Sequence, residues 1–364
     1  MRILFIVTGL KIGGAEIQVS SLAKQMLRLR HQVAIVVLND GIEVTLPNEV
    51  TIFSLGMSKT PISFVQALRS FQEIVKTWQP DVVHSHMVHA NLFSRLARLL
   101  NVPIKRLICT AHSTNEGRML RMILYRLTDR WTDLTTNVSN AGVRAFVKIG
   151  AVPQHRIKCV YDGVDADKFH ADQSKRENTR SALNIDNTFC FLAVGRLTRE
   201  KGYINLINAF EKIHQQRSDM LMLIAGEGPD RLLIEQTIDA LGISSCVKLL
   251  GNRQDVVDLL NACDCFVMAP LWEGFGIAIV EAMMCEKVVI ASNVGGIPEV
   301  LGDRGILVPS GDIGMLANAM KDVTLLSNEQ CQLLGREARG RAYNLFGLSE
   351  IANQWVKIYN ANYH

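Results

Sequence analysis

Two α/β domains in series, each a doubly wound parallel sheet covered by helices, are predicted by three observations. The chain of 364 residues exceeds one average domain and suits two of about 150 to 200 residues each. Apolar, β-rich runs alternate with longer helical patterns from one end to the other. The strand runs are apolar almost throughout rather than every second residue, as in parallel sheets buried on both faces. At 48 % hydrophobic residues, the chain can fill two cores.

The first strand is RILFIV (2–7). Its run is short, lacks a small-x-small cleavage site and turns directly into the glycine loop TGLKIGGAE, so it is read as a buried strand and not a signal peptide. The helix AEIQVSSLAKQMLRLR follows, then the strand QVAIVVL (32–38) and the helix ISFVQALRSFQEIVKTW. Further strands are DVVHSH (81–86), RLICTAH (106–112), LTTNVS (134–139) and IKCVYDG (157–163). The polar segment DADKFHADQSKRENTRSALNID reads as a linker and a helix. The alternation then restarts with FCFLAVG (189–195), LMLIAG (221–226), VKLLG (247–251), CFVMAP (265–270), VVIAS (288–292) and GILVP (305–309), each followed by a helical pattern. The expected boundaries are 1–168 and 169–346, with the amphipathic stretch 347–364 packing back across the domain boundary.

No run approaches the ~18 apolar residues of a membrane span. The eight cysteines include no CxxC pair, and Cys263 and Cys265 alternate in a strand, so a reduced, cytoplasmic protein with core thiols is expected. Residues 1–170 hold 21 Lys/Arg against 12 Asp/Glu, and residues 171–364 hold 18 against 23. A basic first half points to an anionic partner there, against the plainer reading of scattered solvating charge. Nucleic acid is set aside, because zinc-finger spacing, helix-turn-helix pattern and aromatic-basic RNA motif are all missing. An anionic membrane surface or a phosphorylated acceptor fits. In GRMLRMILYRLTDRW a membrane-facing helix is one reading. A core-packed helix with a solvated side is favoured, since Arg118, Arg121, Arg126 and Arg130 do not share one narrow face.

In open α/β sheets ligands bind beyond the carboxyl ends of the strands, and two such sheets facing one another would make a cleft. The chemistry-bearing residues follow strands. Gly13-Gly14 precedes a helix, where glycine lets a ligand approach the backbone and the helix offers N–H groups to an anion. The pattern is not GxGxxG, so it is a weak dinucleotide signal. In VGRLTREKG, Arg196 and Lys201 follow a strand end, and two cations there can grip a diphosphate. PLWEGFGIAIVEAMM carries Glu273 in a turn and Glu281 inside the next helix. Its helix N-terminus near Gly274-Phe275-Gly276 favours phosphate, Glu273 can reach a sugar hydroxyl, and Glu281 can accept from the two hydroxyls of a ribose. His84, His86 and His89 invite a metal reading, but no acidic or cysteine partner stands at zinc-ligand spacing. Asp165-Ala166-Asp167 is taken as a chance DxD match in the interdomain segment.

Taken together, GGAE (13–16), HSH (84–86), TAHS (110–113), VGRLTREKG (194–202), AGEGP (225–229), EGFGIAIVE (273–281) and GGIPE (295–299) resemble the family 4 glycosyltransferases over nearly the whole chain. The resemblance implies the GT-B fold and a retaining, nucleotide-sugar-dependent transfer. It implies that Arg196 and Lys201 hold the donor diphosphate and that Glu281 binds ribose. Glu273, Phe275 and Gly276 would contact the transferred sugar, and His112 would reach that sugar near the reacting carbon. Gly14 would approach phosphate or acceptor, Glu227 would lie near the nucleobase, and Glu299 would cap a helix or touch ligand. It further implies front-face transfer in which the leaving phosphate helps deprotonate the acceptor, with no metal and no cofactor beyond the nucleotide sugar. The expected donor is a UDP-sugar, and the acceptor a saccharide, soluble or lipid-linked, in bacterial surface polysaccharide or lipopolysaccharide assembly. Peripheral contact with the inner face of the cytoplasmic membrane goes with that reading. One departure stands out: the family often has Asn-Gly-Val where this chain has Asp162-Gly163-Val164. Other readings are a nucleotide-sugar epimerase on the same frame, a glycosidase using Glu273 and Glu281, and a non-catalytic binding partner.

Overall fold

In the computed structural model, which describes residues 1–10, 13–114, 116 and 119–361, two all-parallel sheets carry the architecture. The first has seven strands: β1 (Arg2–Val7), β2 (Gln32–Val37), β3 (Thr51–Ser54), β4 (Val82–His86), β5 (Leu107–Ala111), β6 (Leu134–Asn137) and β7 (Ile157–Cys159). Their order is β3-β2-β1-β4-β5-β6-β7. The helices between them are α1 (Gly14–Arg28), α2 (Pro61–Trp78), α3 (Val88–Leu99), α4 (Met119–Thr128) and α5 (Asn140–Ile149). β1 shows why this sheet is covered on both sides. Ile3, Phe5 and Val7 pack with Val19 and Leu22 of α1, while Leu4 and Ile6 pack with Phe71 of α2 and Phe93 of α3, following the two-residue period of a strand.

The second sheet has six strands, β8 (Phe189–Val194), β9 (Met220–Ala225), β10 (Val247–Gly251), β11 (Cys265–Met268), β12 (Val288–Ser292) and β13 (Ile306–Val308), in the order β10-β9-β8-β11-β12-β13. Its helices are α6 (Gln173–Leu183), α7 (Tyr203–His214), α8 (Arg231–Ala240), α9 (Val256–Ala262), α10 (Ile277–Met284), α11 (Ile297–Leu301), α12 (Ile313–Thr324) and α13 (Asn328–Phe346). Phe191 of β8 and Phe210 of α7 meet edge to face at the centre of this core.

Contacts divide the chain after Gly163, and Val164–Gly347 form the second unit. The C-terminal helix Leu348–Asn360 belongs to the first unit, where Ile351, Trp355 and Tyr359 join the core against α1. Strand order reverses between β1 and β4 in one sheet and between β8 and β11 in the other. Those reversals are where doubly wound sheets open a crevice for ligands.

Two elements depart from the sequence reading. β3 is an added edge strand whose residues are mostly exposed, so it has neither the buried run nor the alternation that announces a strand. α4 was expected to turn a polar side to solvent; instead, Met119, Leu120, Ile123, Leu124 and Leu127 face outward. Gly117 and Arg118, at the start of that arginine-rich stretch, lie outside the described residues.

Several helix starts carry side-chain caps and others do not. Thr60 caps α2, Ser139 caps α5 and Asp312 caps α12 by accepting from a backbone N–H, and Ser327 with Gln330 forms a capping box on α13. Each such cap is worth about 1 kcal/mol. α1, α7 and α10 begin instead at Gly13, Gly202 and Gly276, with no side-chain capping bond. These three helices follow the strands at the reversal points of their sheets.

Candidate active site

In the second unit, the loops after β8 and β11 meet. Lys201 Nζ lies 2.5 Å from Glu273 Oε2, and Glu273 Oε1 accepts from the Gly274 amide at 3.0 Å. Both side chains are largely shielded, so the pair is held in one geometry. The Leu271 amide donates to the Glu200 carbonyl at 2.8 Å and fastens the same two loops through their backbones. Gly295, the first glycine of GGIPE, supports this arrangement from behind. At φ +55°, a Cβ there would sit 1.8 Å from the Glu273 carbonyl oxygen, so only glycine lets that backbone pass. Tyr203 completes the floor: its hydroxyl donates to the Gly195 carbonyl at 2.9 Å. Burial, then the Glu273 charge, push its pKa well up, keeping it a neutral donor.

Arg196 stands exposed in the loop after β8. Among the described residues its guanidinium forms no ion pair. One cation of the expected diphosphate grip is thus open to a ligand, while the other is already paired with a carboxylate. Phe275 lies at the turn into α10. Its ring is buried edge-on against Phe346 at 5.4 Å, which anchors the start of α10. Glu227 lies after β9 and pairs with Arg231 one helical turn on. Its backbone carbonyl accepts from Leu197 at 2.9 Å, joining the β9 loop to the Arg196 loop.

Glu281 is set into the apolar helix α10 between Val280 and Ala282, both fully buried. Burial raises its pKa to about 7, with Lys168 pulling in the opposite direction. A carboxyl without a local donor is costly. Two hydroxyls on one ligand would stabilise its charged form. The Arg341 side chain donates to the Glu299 carbonyl at 2.7 Å, which ties α13 to the GGIPE segment.

In the first unit, His112 follows β5 and sits at the centre of an ionisable cluster. Its Nδ1 is 3.7 Å from Asp162 Oδ2, and its Nε2 is 3.0 Å from His86 Nδ1. Burial by itself would lower the His112 pKa, but Asp162, Glu116 and Glu16 together raise it. An imidazolium here donates from Nδ1 toward Asp162 and from Nε2 to His86. His86 and His84 are driven the other way: burial first, then neighbouring histidines, hold both well below the usual range. His84 spends its nitrogens on the Tyr359 hydroxyl and Thr110 Oγ1, each at 2.7 Å, so the HSH pair is neutral core furniture beneath His112. Glu116 has its pKa raised to about 7, chiefly by burial, and its Oε1 has no hydrogen-bond partner. Gly14 opens α1, and the Glu16 carboxylate folds back against the adjoining Gly13. Negative charge therefore already faces this helix N-terminus.

Sequence reasoning marked Asp162 only as a departure and passed over Glu116 and Glu16 as participants. A carboxylate four residues after His112 in a strand-end loop was the available signal for Glu116. Asp165 and Asp167 make a local turn, with the Asp167 amide on Asp165 Oδ1 at 3.1 Å.

Comparison with known proteins places these two units. The family model described as glycosyltransferase family 4 matches residues 12–168, and the model described as glycosyl transferases group 1 matches residues 175–341. N-acetyl-alpha-D-glucosaminyl L-malate synthase of Bacillus anthracis is 26 % identical, covering 96 % of this chain and 94 % of that protein. The Escherichia coli UDP-Gal:alpha-D-GlcNAc-diphosphoundecaprenol alpha-1,3-galactosyltransferase is also 26 % identical, over 82 % of this chain and 80 % of its own. Among solved structures, Anabaena HepE in complex with UDP-glucose superposes with a TM-score of 0.87 at 24 % identity, covering 98 % of this chain and 99 % of that one. WaaG, a glycosyltransferase involved in lipopolysaccharide biosynthesis, gives a TM-score of 0.78 at 17 % identity over the full length of both chains. The fold class is accordingly GT-B, two doubly wound parallel sheets.

Proposed function

The chain belongs to glycosyltransferase family 4, and from that premise we propose that it moves a hexose or N-acetylhexosamine, with retention, from a nucleotide sugar to a saccharide acceptor. A UDP-sugar is the favoured donor, and the acceptor is lipid-linked, in surface polysaccharide or lipopolysaccharide assembly at the inner face of the cytoplasmic membrane. The observation that carries this reading is the Lys201–Glu273 pair, held at the reversal point of the second sheet beside the start of α10. Names of relatives support the choice of substrates: one uses UDP-Gal and a diphosphoundecaprenol-linked sugar, and a structural neighbour was determined with UDP-glucose.

Donor binding in this reading is an exchange of partners. The diphosphate draws Lys201 away from Glu273 and engages the open Arg196. Glu273 is released to accept from a sugar hydroxyl, and Glu281 accepts from the ribose diol. Charge on the leaving diphosphate is met by two cations and by the N-terminus of α10, and the reaction calls for no metal. In the first unit, the anionic surroundings of His112 favour a reacting carbon that gains positive charge.

Thermal unfolding against UDP, GDP, ADP, CMP and their sugars tests this. A ligand at 100 times its Kd adds about 2.7 kcal/mol to the folded state. One nucleotide class should stabilise the protein, and Lys201→Ala should abolish the shift. Absence of a shift with every nucleotide would sink the donor-site assignment.

A further inference from the structure

Elements around His112 bring three buried side-chain atoms that have no hydrogen-bond partner among the described residues. They are His86 Nε2 at the end of β4, Gln18 Oε1 on α1 and Glu116 Oε1 in the loop after β5. His86 and Gln18 keep only 1 % and 2 % of their surface exposed. The other ring nitrogen of His86 meets His112 Nε2 at 3.0 Å, which fixes the ring. His86 stands opposite Thr110 in register, so His112, two residues on, shares its side of the sheet. That is the side α1 covers: the Phe5 ring lies 5.8 Å from His86 and packs with Val19, the neighbour of Gln18 on the helix. Glu16, in the first turn of α1, bears on His112 as well. Buried polar groups are as a rule paired. These three stand unpaired where strand order reverses between β1 and β4, the place where such sheets take ligands.

The unpaired atoms name the chemistry that would meet them. Gln18 Oε1 and an ionised Glu116 can only accept, while His86 Nε2 donates or accepts according to its tautomer. A hydroxyl does both and serves all three. A carboxylate or phosphate brings no proton and leaves two oxygens unserved. Charge agrees with this. Among the described residues, Asp162, Glu116 and Glu16 bear on His112, and Arg121 is the further cation that bears on Glu116. The His112 and Asp162 side chains keep 12 % and 10 % of their surface exposed, so solvent reaches the cluster at those two groups. We propose that His86, Gln18 and Glu116 form a hydroxyl-binding pocket in the first unit, which selects an acceptor presenting an uncharged sugar ring here and rejects one presenting an acid. Gln18 and Glu116 each accept from a ring hydroxyl, and His86 bonds a third oxygen beside His112. The proposal deepens the reading above and rests on it for the existence of a saccharide acceptor.

The test is histidine-ring NMR of the full chain, with and without UDP. The probes are the methyl α-glycosides of glucose, galactose and N-acetylglucosamine, and L-malate, which carries a hydroxyl and two carboxylates. Donor binding is read separately from the nucleotide melting shifts, so pocket and donor site can fail independently. At least one glycoside should move the His86 and His112 signals, assigned with His86→Gln and His112→Gln, and L-malate should leave them in place. Glu116→Gln and Gln18→Leu, which keep shape and volume, should each raise the glycoside Kd on the order of tenfold while the thermal midpoint holds. The two substitutions lie on separate elements, so misfolding of one leaves the other to decide. Glycosides that move neither signal, with UDP or without it, would overturn the proposal, the unpaired atoms then serving water alone. So would L-malate binding as tightly as a glycoside, or folded variants that bind glycoside as the parent does.

Discussion

The ionisable groups of the two units handle burial in opposite ways. In the second unit a cation and an acid shield one another: Lys201 lies on Glu273, and Arg196 stands ready in solvent. In the first unit three carboxylates, Asp162, Glu116 and Glu16, face a single histidine, and the two histidines beneath it are neutral. One region suits an incoming anion, and the other suits a group that becomes positive. The difference also separates overall charge from local charge. The first unit is the basic one by count, yet its His112 cluster is acidic, and unpaired arginines gather instead at the α4–α5 face.

The sharpest break of this contrast is Lys201→Ala. Removing one anion-stabilising group should cost on the order of 2 to 4 kcal/mol in the transition state, read as a fall in kcat/KM for sugar transfer, with Lys201→Arg retaining part of the rate. Retention of full activity would show that the pair is structural.

Glu281 gives the next effect. Below its pKa of about 7 the carboxyl is protonated in the free protein, while a ribose diol favours the anion. Nucleotide affinity should rise as pH rises toward 7, by about tenfold per pH unit below that point, and calorimetry across that range would show it. Glu281→Gln should flatten the dependence and lose about 1.5 to 3 kcal/mol of binding at pH 8. Stability moves the other way. The folded state keeps a proton that the unfolded chain releases above its ordinary value of 4.5. Stability from this group is thus greatest below that value and is lost as pH rises to about 7. Without ligand, Glu281→Gln should melt higher than the parent at pH 8.

Gly295→Ala should destabilise by about 1 to 3 kcal/mol, since its Cβ has no room against the Glu273 carbonyl. A lowered thermal midpoint together with weaker nucleotide binding would tie the backbone support to the site. The smallest effect is expected of Asp162→Asn, which installs the residue common in the family. The His112 pKa should fall, because one of the carboxylates raising it is gone. Histidine NMR titration would detect the change, and an unmoved His112 would mean that Glu116 and Glu16 suffice.

Much of this was legible in the residues, and the reasons are physical. Strands such as FCFLAVG and VVIAS are buried on both faces, so they read as unbroken apolar runs whatever surrounds them. EGFGIAIVE and VGRLTREKG each span a strand-end loop and a helix start, and the pairing of β8 with β11 brings Lys201 and Glu273 to neighbouring loops. β3 escaped because an exposed edge strand lacks both signals. The His112 cluster escaped in part because Asp162 and Glu16, the latter in the first turn of α1, lie far from His112 in sequence. The outward face of α4 stayed divided between a membrane-facing and a core-packed reading, because its apolar residues look the same in a sequence whether they meet a core or solvent.

The chain passes between its units twice, and the two passages are stitched together at the backbone. The Val164 amide donates to the Phe346 carbonyl at 2.8 Å, and Gly163 lies against Leu348 so closely that a Cβ would come within 2.9 Å of its Cα. Each unit thus has its cut ends side by side. The second unit is in effect a cassette spliced into the first, bounded by two adjacent seams. A gene segment encoding 164–347 could be exchanged for that of a relative with another donor, while the first unit keeps its own closing helix and its own sheet.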